Sequence, residues 1–195
     1  CTSTDTINIT ILPVPVAPIS IPQYDSICLG DPNPSFSASG TNIEWWGDPS
    51  FINLLLAGDP YTPLITTPGT YFYYVTQTVT GCRSSSDTIQ FTINYTPAPF
   101  ANNVSVAFGS PVPDLTSTGT NVQWYDTTMT LVYSGSPFAT GNTAIGTYTY
   151  YVSQTLNGCE SDLDTVVLVI IPGAPVGTNQ AICCGEPVPD LTATG

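Results

Sequence analysis

Gly69-Thr-Tyr-Phe-Tyr-Tyr-Val-Thr-Gln-Thr-Val-Thr-Gly-Cys82 returns later in the chain as Gly146-Thr-Tyr-Thr-Tyr-Tyr-Val-Ser-Gln-Thr-Leu-Asn-Gly-Cys159. Within the first copy Tyr71, Tyr73 and Val75 fall on one side of an extended chain, and Phe72, Tyr74 and Thr76 on the other. That period of two, in aromatic and β-branched residues closed by a Gly-containing turn, predicts a strand running into a hairpin. A near-copy at this length also predicts that the chain is built from repeats, which sets the frame for everything else.

The repetition extends upstream. Gly40-Thr-Asn-Ile-Glu-Trp-Trp46 returns as Gly119-Thr-Asn-Val-Gln-Trp-Tyr125, and Pro111-Val-Pro-Asp-Leu-Thr-Ser-Thr-Gly119 returns as Pro187-Val-Pro-Asp-Leu-Thr-Ala-Thr-Gly195. Ala-Pro pairs at 17, 98 and 174 mark the starts, at offsets of 98 − 17 = 81 and 174 − 98 = 76 residues. The expected division is the last strand of a preceding repeat at 1–16, complete repeats at 17–97 and 98–172, and the first strands of a following repeat at 173–195. On this reading the chain is a window on a longer tandem array.

Other segments carry the same alternation. Ile43 and Trp45 oppose Glu44 and Trp46, matched by Val122 and Trp124 against Gln123 and Tyr125. Ile89, Phe91 and Ile93 oppose Thr88, Gln90 and Thr92. Six to seven short strands per repeat, separated by Gly, Pro, Asn and Asp, predict an all-β fold of tandem antiparallel β-sandwiches. The 19 prolines and 16 glycines argue against long helices.

Composition removes whole classes of chemistry. The 195 residues include 14 acidic side chains, one basic one (Arg83), no lysine and no histidine, a formal net charge of −13. Ser-His and Cys-His nucleophiles, imidazole zinc sites and lysine Schiff bases are therefore excluded. One cation cannot form the basic footprint that phosphate backbones require, so no nucleic acid partner is expected. The longest aliphatic run, Val166 to Ile171, is too short to span a bilayer as a helix, and no membrane insertion is expected. A hydrophobic share of 42% nevertheless argues for a packed core rather than an acidic disordered tail.

The layout resembles an immunoglobulin domain: a Trp on an early strand, and a Gly-Thr-Tyr opening like the tyrosine corner before strand F. Tyr73 and Tyr150 stand where an antibody domain has its strand-F cysteine, so the usual inter-sheet disulfide is absent and Trp45 and Trp124 are expected to pack against tyrosine. The string Thr149 to Ser161, with the Trp-Tyr and Leu-Thr-Ala-Thr-Gly phrases, resembles the Ig-like repeats of very large Bacteroidota cell-surface proteins. Those are exported by the type 9 secretion system and include mobile gliding adhesins. The resemblance implies an extracellular, cell-surface, non-catalytic shaft segment of a filament or adhesin. The alternative is an accessory carbohydrate-binding region of a secreted polysaccharide-degrading protein.

Such repeats carry one cysteine before strand B (Cys28, Cys183) and one in the turn before the last strand (Cys82, Cys159). Pairing inside a repeat would join Cys28 to Cys82. Against it, Ig-like topology sends Cys28 to the exit end of its repeat and the turn to the entry end, too far apart for Cα atoms that must lie within about 7 Å. Ala107 also replaces the first cysteine of the second repeat. The expected bond is Cys28–Cys159, between repeats, leaving Cys1, Cys82, Cys183 and Cys184 for partners outside the window; local stapling of Cys28 to Cys82 is the alternative.

Asp-Ser/Thr-aliphatic (or Thr) triplets resemble the acceptor of Bacteroidota O-glycosylation and make Thr6, Ser26, Thr88, Thr127 and Thr165 candidate sites. The plainer reading is an acidic residue before a strand start. Trp46, Phe72 and Tyr74 form a candidate outward aromatic patch for stacking on sugars, with packing against a neighbouring loop as the structural alternative. Asp162 and Asp164 come nearest to calcium-type spacing but lack an Asp-x-Asp-x-Asp loop. No cofactor or metal is expected. The expected partners are neighbouring repeats of the same chain, other copies in a filament, and surface glycans.

Overall fold

The computed structural model describes Asp5, residues 7–177 and residues 179–194, with Thr194 as backbone only. Among these residues every regular element is a strand. The chain divides into two compact units, 1–95 and 96–195.

Unit 1 contains β1 (Ile19–Ile21), β2 (Tyr24–Cys28), β3 (Ser37–Ser39), β4 (Ile43–Trp46), β5 (Leu54–Ala57), β6 (Gly69–Val79), β7 (Cys82–Arg83) and β8 (Asp87–Asn94). Its large sheet runs β2-β8-β6-β4-β5, with β7 paired to the end of β6, and β1 pairs with β3 in a small second sheet. The chain changes sheets at Pro22 and Gln23, between β1 and β2. Proline brings no N–H to a ladder, which suits it to a point where one pairing ends and another begins. Unlike the other ladders of this sheet, β2 and β8 run parallel, with Tyr24 opposite Gln90 and Cys28 opposite Asn94.

Unit 2 repeats the plan. Its strands are β9 (Val104–Ala107), β10 (Gln123–Tyr125), β11 (Leu131–Ser134), β12 (Gly146–Ser153), β13 (Thr155–Leu156), β14 (Cys159–Glu160), β15 (Asp164–Ile171), β16 (Val176–Gly177) and β17 (Ala193–Thr194). The large sheet runs β11-β10-β12-β15-β9, and here too the first and last members, β9 and β15, are parallel.

The predicted alternation sets the cores. Ile89, Phe91 and Ile93 of β8 are buried with Trp45, Tyr73, Val75, Ile43 and Phe36. Val166, Leu168 and Ile170 of β15 are buried with Trp124, Val152, Val122, Leu115 and Phe138. Each fully buried large side chain contributes about 1.5–3 kcal/mol, so these eight-residue clusters are what hold each sheet to its opposing layer. Each tryptophan reaches Tyr73 or Tyr150 through one intervening ring, which for Trp45 is itself a tyrosine. Trp45 stacks on Tyr61, which is edge-on to Tyr73 at 5.3 Å between centroids. Trp124 lies against Phe138, which is edge-on to Tyr150, also at 5.3 Å.

The cores differ in polar detail. Trp124 Nε1 donates to the Gly135 carbonyl at 2.9 Å, and Asn142 Nδ2 donates to Tyr150 Oη. In unit 1 Trp45 Nε1 and Tyr73 Oη are buried without a hydrogen-bond partner among the described residues. Burial accordingly pushes the Tyr73 hydroxyl pKa far upward.

Candidate functional site

The outer face of the large sheet is the surface the two units display in common. In unit 1 the outward residues Glu44 and Trp46 of β4 pair with Thr76 and Tyr74 of β6. Trp46 is nevertheless only 5% exposed. Its Nε1 donates to Thr76 Oγ1 at 2.9 Å, Phe51 packs against its ring at 5.8 Å, and the Arg83 guanidinium lies over it at 4.6 Å. Arg83 also sits 3.6 Å from Glu44. The expectation of an exposed Trp46-Phe72-Tyr74 patch is thus corrected: Trp46 is roofed by Phe51 and Arg83, Tyr74 is half-buried, and Phe72 alone of the three is exposed.

Phe51 reaches Trp46 because a tight turn throws it back, with φ of 58° at Phe51. The Asp48 carboxylate organises that turn by accepting backbone N–H groups of Asn53, Ile52 and Ser50. Those bonds, the one from Asn53 foremost, hold its pKa below the usual value. Asp126 caps the corresponding turn of unit 2, accepting from the Thr128 hydroxyl and from the N–H groups of Thr128 and Thr130.

Unit 2 builds the same face from different chemistry. Tyr125 replaces Trp46, Gln123 replaces Glu44, Ser153 replaces Thr76, and Glu160 stands where unit 1 has Arg83. The Tyr125 hydroxyl donates to Glu160 at 2.7 Å and meets Gln123 at 2.6 Å, while Ser153 Oγ donates to Glu160 at 2.6 Å. Burial and the Glu160 carboxylate raise the Tyr125 pKa. A cation over an aromatic ring has become a carboxylate holding two hydroxyls.

The candidate modification sites fall at the surface. Ser26, Thr88, Thr127 and Thr165 are exposed, and Thr6 lies outside the described residues. The aspartates preceding Thr88 and Thr165 hold the fold together. Asp87 accepts from the Ser20 backbone N–H at 2.9 Å and the Ser20 hydroxyl at 2.7 Å, tying β1 to the start of β8. Asp164, the closest approach to a calcium-type spacing, accepts from the Ala101 N–H at 3.1 Å. Each also accepts the N–H of the following threonine at 2.9 Å.

Cys28 and Cys159 are each disulfide-bonded. Cys82 carries a free thiol, so the pairing of Cys28 with Cys82 inside one repeat is not formed. Cys183 and Cys184 also carry free thiols, and Cys1 lies outside the described residues. The turn at Cys183, where Glu186 N–H donates to the Cys183 carbonyl at 3.1 Å, copies the one at Cys28, where Asp31 N–H donates to Cys28 at 3.1 Å.

Sequence reasoning missed Arg83 as the lid on Trp46, and it missed Gln77 and Gln154. The available signal was the recurrence of that glutamine in both copies of the long strand.

Residues 96–172 match the family model described as "Ig-like domain CHU_C associated", in keeping with the Ig-like fold of this stretch. No curated protein matches the chain. Among solved structures the chain is similar to human protocadherin-24 EC1-2, at 9% identity and a TM-score of 0.36, over 82% of this chain and 100% of that one. It is similar to Drosophila OTK extracellular domains 3-5 at 10% identity and 0.38, over 78% and 61% respectively. For the four N-terminal Ig domains of Dscam1 isoform 1.9 the values are 14% and 0.33, over 81% and 46%.

Proposed function

We propose that this chain is a non-catalytic shaft segment of an extracellular surface filament or adhesin, serving attachment or gliding on the cell surface of a type 9-secreting bacterium. The observation that carries this reading is what the units keep and what they change. They keep the buried Trp45 and Trp124, the pinning Asp87 and Asp164, and the closing turns at Gly81 and Gly158. They change the outer face, Trp46 to Tyr125, Phe72 to Thr149 and Arg83 to Glu160. A recognition surface that acts by repetition would hold its displayed chemistry constant. A spacer needs only its scaffold.

A bond between Cys28 and Cys159 belongs to the same proposal, as a clamp between consecutive repeats. It is supported by the bonded state of both cysteines and the free thiol at Cys82. The exposed Ser26, Thr88, Thr127 and Thr165 are the proposed acceptors of O-linked glycans. Imaging the native assembly tests the shaft: rod-like particles with a regular repeat spacing are the expected result. Sugar-specific binding of the chain on a glycan array, with no rods in the native material, would replace it by the accessory carbohydrate-binding reading.

A further inference from the structure

Gln77 and Gln154 occupy the same place in β6 and just after β12, three residues before the closing turn. Their backbones are fixed from the far side of that turn. Ser84 N–H donates to the Gln77 carbonyl at 2.9 Å, and Ser84 Oγ accepts Gln77 N–H at 3.0 Å. Ser161 does the same for Gln154, at 2.9 and 3.1 Å. With the backbone held, the side-chain amide has a defined aim.

That aim is identical in the two units. Gln77 Oε1 accepts Thr41 N–H at 3.0 Å, and Nε2 donates to the Val16 carbonyl at 2.9 Å. Gln154 Oε1 accepts Thr120 N–H at 3.0 Å, and Nε2 donates to the Pro97 carbonyl at 2.8 Å. Val16 and Pro97 immediately precede the Ala-Pro pairs that open the repeats. The glycines of Gly-Thr-Asn complete the device: a Cβ on Gly40 or Gly119 would lie 2.7 Å from the Oε1 of its glutamine. Gln154 is only 8% exposed, so its two bonds form away from competing water. Unit 2 adds a second hold, Thr96 Oγ1 donating to the Cys159 carbonyl at 2.9 Å.

We infer that Gln77 and Gln154 are latch residues: each grips the carbonyl of the residue leading into its repeat and fixes the direction in which the chain enters it. The inference deepens the shaft reading and rests on it for its purpose. The latch acts through one amide that bridges the incoming segment and the Gly-Thr-Asn turn, without any covalent bond. It therefore operates with or without a cysteine pair.

The test is ¹⁵N relaxation on the full chain, with the cysteine bonds intact and again after reduction. Gln154→Ala should drop the order parameter of Ala98 from the rigid range of about 0.85 to below about 0.6, with those of Thr96, still tied to Cys159, and of Val152 and Val166 unchanged. Should Gln154→Ala unfold unit 2, Gln154→Glu serves in its place. It keeps the size and the acceptor but removes the donor to Pro97, and the same loss of order is expected. Ala98 as rigid as in the parent chain, in a folded variant under both redox conditions, would overturn the inference. Failure of the shaft reading would instead appear in imaging and on the glycan array and would leave this relaxation result standing.

Discussion

Exchanging the first residue of the closing turn between the units isolates a single backbone term. Unit 1 turns at Thr80-Gly81 with φ of 49° and 82°, and unit 2 at Asn157-Gly158 with φ of 50° and 80°. Both are two-residue hairpin turns with left-handed backbone at each central position, the geometry for which Asn-Gly is the favoured pair. A β-branched residue is poorly suited to that region, where an ordinary L-residue loses about 1–2 kcal/mol and asparagine loses less. Thr80 is exposed and packs in neither core cluster, so little else changes on substitution. Thr80→Asn is expected to stabilise unit 1 by about 1 kcal/mol, which for a domain of this size raises Tm by about 4–8 °C. Asn157→Thr should lower unit 2 by a similar amount. Differential scanning calorimetry of the full chain reads both, and the two variants should move their transitions in opposite directions. A Thr80→Asn chain that melts at or below the parent temperature would refute the argument that the turn is strained.

The two core tyrosines should respond differently to loss of their hydroxyls. Tyr150→Phe removes the bond from Asn142 and should cost about 1 kcal/mol, whereas Tyr73→Phe removes a buried hydroxyl with no partner among the described residues and should be neutral or stabilising. Urea midpoints decide it, and equal losses for the two variants would contradict the assignment. Asp87 gives a pH dependence. Burial raises its pKa, but the bonds from Ser20 and Thr88 lower it by more, leaving it below 3.8. A depressed carboxylate contributes stability that is present above its unfolded pKa of about 3.9 and is lost as pH falls through the lower folded value. Melting temperature followed from pH 7 to pH 2 should therefore fall less steeply for Asp87→Asn, from a lower start. Parallel profiles would show that Ser20 draws nothing from the charge.

Local alternation made most of the sheet legible. The inward series Tyr71-Tyr73-Val75 and Ile89-Phe91-Ile93 could be placed from period two alone, and Asn157-Gly158 announced its turn. What escaped reading depends on contacts between distant residues or on backbone direction. Alternation correctly put Trp46 on the outer face, yet its cover comes from Phe51, whose approach depends on a positive φ and on Asp48 gathering three N–H groups. Asp87 reads locally as the start of a strand or a modification signal, while its main partner, Ser20, lies 67 residues away. Gln77 reaches 61 residues back to Val16. The parallel pairing of β2 with β8 was equally hidden, because inward-facing residues recur every second position whichever way the neighbouring strand runs.

That parallel ladder has a mechanical consequence. Tension on the unit draws the start of β2 one way and the end of β8 the other. Because the strands point the same way, the load runs along the ladder rather than across it. The five register pairs from Tyr24–Gln90 to Cys28–Asn94 then share the load in shear, and none can open first as the teeth of a zipper do. Unit 2 presents the same arrangement through the four pairs joining β9 to β15. Each repeat thus places its most load-resistant pairing between the strand by which the chain enters its large sheet and the strand by which it leaves.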